Sequence, residues 1–182
     1  MGRGSTGFSL VELAITLAVL GIVLAIAIPA FGNYLDNRRL SGAAEAVNTA
    51  LQLARGEAFK RGGEVCTLLV PDNTARWLVV EAGSGCTTAC AASNADCLRQ
   101  VNRSDYPNVT SAFVDAFVET DGLAVFEPVR GTATNFMAVS PRVGAIRLTS
   151  GTGGELDVRL NVMGRSWICA PGAATLMGYA PC

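Results

Sequence analysis

The 182-residue chain contains no histidine, so the side chain that most often serves as general base or metal ligand near neutral pH is missing. There is no Gly-x-Ser-x-Gly elbow and no phosphate-cradling glycine loop. Isolated acids such as Asp115 and Glu119 lie in strand-like runs, where a solvated face accounts for them. An enzyme is therefore not expected, and no cofactor is. Charge is sparse and balanced, with 16% charged residues and a formal net charge of −1, which removes any global electrostatic pull toward nucleic acid. The chain lacks Cys-x-x-Cys, the usual spacing of a redox-active dithiol. It has no internal repeat and no long low-complexity tract.

What stands out instead is an almost unbroken apolar stretch from Leu13 to Phe31. About twenty such residues span a hydrocarbon core as a helix, which exceeds the apolar region of an ordinary signal peptide. No Ala-x-Ala-like cleavage site follows it. The short leader before it, residues 1–7, carries Arg3 as its only charge, which places that end on the cytoplasmic side. At the start of the stretch stands Glu12, a lone carboxylate that is costly in lipid and so requires a reason to be there.

Beyond Pro29 and Gly32 the chain becomes polar without losing its helical period. Leu40, Ala44, Val47, Leu51, Ala54 and Ala58 alternate four- and three-residue steps and form one apolar stripe, expected to bury against a sheet. Arg38, Glu45, Asn48, Gln52 and Arg55 occupy the opposite, wet face, and Gly62-Gly63 supplies a stop. Pro29, which has no backbone donor, should bend or loosen this helix, and Gly21 is a second weak point.

From Val65 the pattern changes to short strands: Val65 to Val70, Trp77 to Glu81, Leu98 to Arg103, Ala112 to Glu119, Leu123 to Pro128, Phe136 to Ser140, Ala145 to Thr149 and Glu155 to Val162. Pro71-Asp72-Asn73-Thr74 reads as the turn of the first hairpin. The last strand alternates, with Leu156, Val158, Leu160 and Val162 toward a core and Glu155, Asp157, Arg159 and Asn161 toward water. The expected fold is α+β, a long N-terminal helix packed on antiparallel sheet and stapled by disulfides. Its parts are a leader at 1–7, a membrane-spanning helix at 8–31, an amphipathic helix at 32–63 and a β-rich domain at 64–182.

All six cysteines lie beyond the apolar segment, on the side where disulfides persist. Cys169 and Cys182 are expected to pair, clasping the C-terminal tail. Cys66, Cys86, Cys90 and Cys97 leave three connectivities open, and the loop from Ala82 to Asp96 should be held by them. With this spacing and no histidine, no metal is expected.

The residues Gly7-Phe8-Ser9-Leu10-Val11-Glu12 and the apolar run after them resemble the processing signal of type IV pilins and of the pseudopilins of type II secretion. The resemblance implies that prepilin peptidase cuts after Gly7, that the new N-terminal Phe8 is methylated, and that Glu12 is the fifth mature residue. Glu12 would then pair with the Phe8 amine of an adjacent subunit, fixing its register because one missing partner of a buried pair is strongly penalised. It also implies that helix between Gly21 and Pro29 is lost on assembly. Before assembly the chain would sit in the bacterial inner membrane with its C-terminal domain in the periplasm, and afterwards in a pilus. Its partners would be other major and minor pilins and the inner-membrane assembly platform.

Leu51-Gln52-Leu53-Ala54-Arg55-Gly56-Glu57-Ala58-Phe59-Lys60-Arg61-Gly62 and the ending Gly164-Arg165-Ser166-Trp167-Ile168-Cys169 further resemble the minor pilins FimT and FimU and the secretion pseudopilin GspH, with Gly56 where a serine is usual. The implied function is a minor pilin at or near the pilus tip; the alternative is a GspH-like pseudopilin of a secretion machine. Some FimT proteins bind DNA for natural transformation through Gly-Arg-x-Arg. Here Gly164 and Arg165 are kept but Trp167 replaces the second arginine. Arg142, Arg147 and Arg159 would have to compensate, with Trp167 stacking on a base, unless Trp167 is a core or edge-strand aromatic and Arg165 an ordinary surface charge.

Overall fold

The computed structural model describes residues 9–70, 76–83, 85–86, 90, 95–115, 122–134, 143–172 and 178–182. Gly7, Phe8, Arg142, the Pro71–Thr74 turn and the expected strand from Phe136 to Ser140 lie outside the described residues. The chain divides into two compact units, Met1–Leu35 and Asp36–Cys182.

One helix, α1, runs from Leu10 to Arg61. The helical assignment passes unbroken through Gly21, Pro29 and Gly32, so Pro29 does not interrupt it. In the first unit the described apolar side chains of this helix are all exposed, from Leu10 at 83% to Ile28 at 68%. It is long and apolar enough to cross a membrane. A surface of that kind is stable only when lipid or other apolar helices cover it.

In the second unit the expected stripe is fully inside. Leu40, Ala44, Val47, Leu51, Ala54 and Ala58 are buried, together with Ala43 and Ala50. The small side chains let strands approach the helix axis closely. The opposite face departs from expectation, because Asn48 and Arg55 are half-buried. Gly62 ends the helix at φ +63°, its N–H donating to the Ala58 carbonyl at 3.1 Å.

The stripe packs in one hydrophobic core with residues from two antiparallel sheets. The first sheet contains β1 (Val65–Leu69), β2 (Arg76–Ala82), β3 (Cys97–Asn102), β5 (Leu123–Phe126) and β6 (Ala133–Thr134), in the order β3-β2-β1-β5-β6. The second contains β4 (Val109–Asp115), β7 (Val143–Ser150), β8 (Glu155–Asn161) and β9 (Ser166–Cys169), in the order β4-β7-β8-β9. A hydrogen bond from the Ala133 N–H to the Val162 carbonyl, 3.0 Å, ties the end of one sheet to the other. β2 is buried on both faces: Leu78 and Val80 belong to the core cluster and Val79 and Glu81 alternate with them, while Trp77 joins the cluster at the irregularity between Arg76 and Leu78. The disulfides Cys66–Cys86 and Cys90–Cys97 tie Cys86 to β1 and Cys90 to β3, and Cys169–Cys182 closes the tail as expected.

Trp77 has no exposure and stacks on Tyr106, ring centroids 5.9 Å apart and planes 15° from parallel. Tyr106 in turn lies over Gly42 of α1, where a Cβ would stand 3.5 Å from its ring. An aromatic pair thus caps one end of the helix–sheet interface.

Candidate functional site

The N-terminal features come together at the start of α1. Ser9 is the N-cap: its Oγ accepts the Glu12 backbone N–H at 3.2 Å, and its carbonyl accepts the Leu13 N–H. Ser9-Leu10-Val11-Glu12 therefore has the Ser-x-x-Glu order of a capping box, a signal that a reading focused on the carboxylate alone misses. Glu12 is exposed in the first turn, where the unpaired amides of a helix N-terminus favour negative charge. It is the only charged residue from Leu10 to Leu35.

The basic residues expected to form a nucleic-acid face do not act together. Arg147 on β7 and Arg159 on β8 point to the side of the second sheet away from the core and converge on Asp157. Arg147 makes two hydrogen bonds to that carboxylate, Nε to Oδ1 at 2.7 Å and Nη2 to Oδ2 at 3.1 Å, and reaches Glu155 at 3.5 Å. Arg159 approaches Asp157 at 3.5 Å. The two arginines and two acids cancel formally, so this grouping of described residues has no net charge to offer a phosphate. Asp157 is also fully buried, which corrects the wet face expected for β8. It faces Cys169 across β8–β9, and Cys182 Sγ lies 3.9 Å from its Oδ2, so the C-terminal cystine covers the carboxylate. Trp167 sits on the edge strand β9 opposite Arg159, half-buried.

Arg165 is separate. It stands exposed in the tight turn between β8 and β9, its backbone N–H held by Asn161 Oδ1 at 3.0 Å. Across a cleft of about 420 Å³ it faces α1. Gln52, Arg55, Gly56 and Phe59 form the helix wall, while Gly164, Arg165 and Ser166 form the other. Arg55 is held in place from several sides. Its guanidinium carbon is 5.9 Å from the Phe59 ring centre, and its Nε lies where a Cβ on Gly131 or Gly164 would come within 2.9 or 3.3 Å. Both glycines have positive φ, so the turns that cradle the arginine require glycine twice over. Arg55 Nε and Ser166 Oγ are buried with no hydrogen-bond partner among the described residues.

The tail is fastened to α1 by a polar contact. Tyr179 donates its hydroxyl to Glu45 at 2.8 Å. Burial, then this bond and the charge of Glu45, push the Tyr179 hydroxyl up to about 12. Among the described residues one cysteine–carboxylate grouping, Cys66, Glu81 and Cys86, is close enough to hold a cation, but its two sulfurs are bonded to each other.

Comparison with known proteins bears on these features. A family model described as type II transport protein GspH matches residues 43–164, and one described as a prokaryotic N-terminal methylation motif matches residues 2–28. Two fimbrial proteins of Pseudomonas aeruginosa are each 35% identical over 72 residues, 40% of this chain and 46% of theirs. The chain thus spans about half the length of the curated relatives it matches. The crystal structure of the type IV minor pilin FimU of Pseudomonas aeruginosa aligns with a TM-score of 0.52 at 20% identity, over 80% of this chain and 99% of that one. That likeness is one of fold: a long helix on antiparallel sheet.

Proposed function

The chain belongs to the GspH family, within the group of type IV minor pilins and pseudopilins, and carries its N-terminal methylation motif; on that premise we propose that it is a minor pilin assembled into a type IV pilus at or near the tip. Prepilin peptidase cuts after Gly7, and Phe8 becomes the methylated N-terminus. The helix holds the protein in the inner membrane, with its sheets in the periplasm, until other pilins and the assembly platform take it up. No catalytic role is proposed. The observation that carries this reading is the exposed apolar first half of α1, in which the only charge from Leu10 to Leu35, Glu12, stands in the first turn, within the residues that match the methylation motif. Pairing of Glu12 with the Phe8 amine of a neighbouring subunit neutralises two charges that lipid disfavours separately.

Glu12→Ala tests it. The variant should still be inserted and processed, with the N-terminal mass of a chain starting at methylated Phe8, yet be depleted from sheared filaments. Normal incorporation would refute the pairing.

Similarity to fimbrial proteins favours a pilus, while the family description favours a secretion machine. Deleting the gene and scoring piliation, secretion and transformation separately decides between them; loss of secretion alone would make the chain a secretion pseudopilin. Among the described candidate arginines, a contribution to DNA uptake rests on Arg165, since Arg147 and Arg159 are committed to Asp157. Salt-dependent titration of the full chain with an oligonucleotide, with and without Arg165→Ala, tests that role.

A further inference from the structure

The second unit hides its large apolar side chains well, with four exceptions among the described residues: Leu53, Phe59, Val129 and Met163. Each stands within two residues along the chain of a residue at the cleft between α1 and the β8–β9 turn. Phe59 lines it, and Leu53 and Met163 adjoin the lining residues Gln52 and Gly164. Val129 precedes by two residues Gly131, whose Cβ position falls on the Phe59 ring. Exposed apolar side chains bordering a cleft mark an interaction site.

At the centre of this patch are two guanidinium groups, Arg55 and Arg165, for which the described residues provide no carboxylate. The nearest acid on the helix, Glu57, is taken by Lys60 and Arg61 at 3.3 and 2.8 Å. Arg55 is packed by an aromatic ring and two left-handed glycines while its Nε goes without a partner, as does the neighbouring Ser166 hydroxyl. An unpaired buried donor lowers stability, so a site that fixes one in place is suited to an anion arriving from outside.

We propose that this cleft is a docking site for a different protein chain, one that presents a carboxylate side chain to Arg55 and Arg165 and flanking apolar side chains to Phe59 and Met163. Arginine and an aromatic residue ringed by apolar contacts are the composition of a protein–protein hot spot. A nucleic acid is a poorer fit. Its affinity grows with the number of phosphates neutralised, and here two cations stand among apolar side chains on a chain whose net charge is −1.

The inference rests on the pilus-subunit reading for where the partner is met, so the two are scored apart. In cells making the full chain, a photo-crosslinking residue replaces Met163, with Thr110 on the edge strand β4 as the control position. Membrane and sheared-filament fractions are collected separately and adducts are identified by mass. The expected result is an adduct at position 163 whose partner peptide carries Asp or Glu beside an apolar residue. Its yield should fall about tenfold with Arg165→Glu and recover when the partner's acid is changed to Arg. An adduct with nucleic acid or with another copy of this chain, a yield insensitive to Arg165→Glu, or no adduct in either fraction would overturn the docking site. Absence of the unsubstituted chain from filaments counts against the pilus reading alone.

Discussion

Arg147 and Asp157 meet directly across β7 and β8, and the carboxylate accepts two hydrogen bonds from the guanidinium at 2.7 and 3.1 Å while having no exposure of its own. Removing one partner of such a pair leaves an uncompensated group under the C-terminal cystine. Arg147→Met, which leaves the buried Asp157 carboxylate without its bidentate partner, should therefore lower stability by about 3 kcal/mol, read as an earlier midpoint in denaturant unfolding of the full chain in micelles. An unchanged midpoint would mean that the pair contributes no net stability.

That pair also shows where the sequence stops being informative. Alternation along β8 separates Asp157 and Arg159 from Leu156 and Val158 correctly, and the core residues follow it. Alternation says nothing about which residue of β7 stands opposite, so the sequence offers Arg147 and Arg159 as compensating cations without revealing their shared carboxylate. The helix stripe from Leu40 to Ala58 was legible because its period depends on the helix alone. The Cys66–Cys86 and Cys90–Cys97 pairings were not, since they follow from the β1–β2–β3 register. Strands β6 and β9 were missed because two- and four-residue segments carry too little pattern. The cleft escaped for a related reason: Arg55 and Arg165 belong to different elements, and only the two turns containing Gly131 and Gly164 bring them together.

The tail contact has a pH signature. The Tyr179 hydroxyl, raised from 10.0 to about 12, donates to Glu45 only while protonated. Its contribution is complete below the unfolded value near 10 and is lost as pH rises toward 12. Tyr179→Phe should cost about 1 kcal/mol at pH 8, because one half-exposed hydrogen bond is lost. The difference between the two proteins in unfolding midpoint should shrink steadily above pH 10. A constant difference would assign the effect to packing instead.

Glycine is required at position 164 for two reasons, and these can be separated by comparison with Gly62. Both have positive φ, +70° and +63°, but a Cβ at Gly164 would lie 2.0 Å from the Gly131 carbonyl oxygen, whereas at Gly62 it meets nothing. Gly62→Ala should cost about 1 kcal/mol from backbone strain, and Gly164→Ala more than that. Thermal unfolding of the two variants side by side checks the order. Equal shifts would mean that the turn yields without cost.

The cystine at the chain end closes a loop with a separation of 13 residues. Replacing Cys169 and Cys182 with serine should lower stability by about 3 kcal/mol on the chain-entropy model and should uncover Asp157. Hydrogen exchange at the β8 amides should accelerate more than at β1, which the Cys66–Cys86 cystine anchors. Uniform acceleration would show that the tail does not protect β8 locally.

Each of the three bridges joins a cysteine to the next one along the chain: Cys66 to Cys86, Cys90 to Cys97, and Cys169 to Cys182. A polypeptide delivered residue by residue into an oxidising compartment therefore always meets the correct partner before any later cysteine emerges. Such an order needs a thiol oxidant but no isomerase, because first-come pairing is already the native pairing.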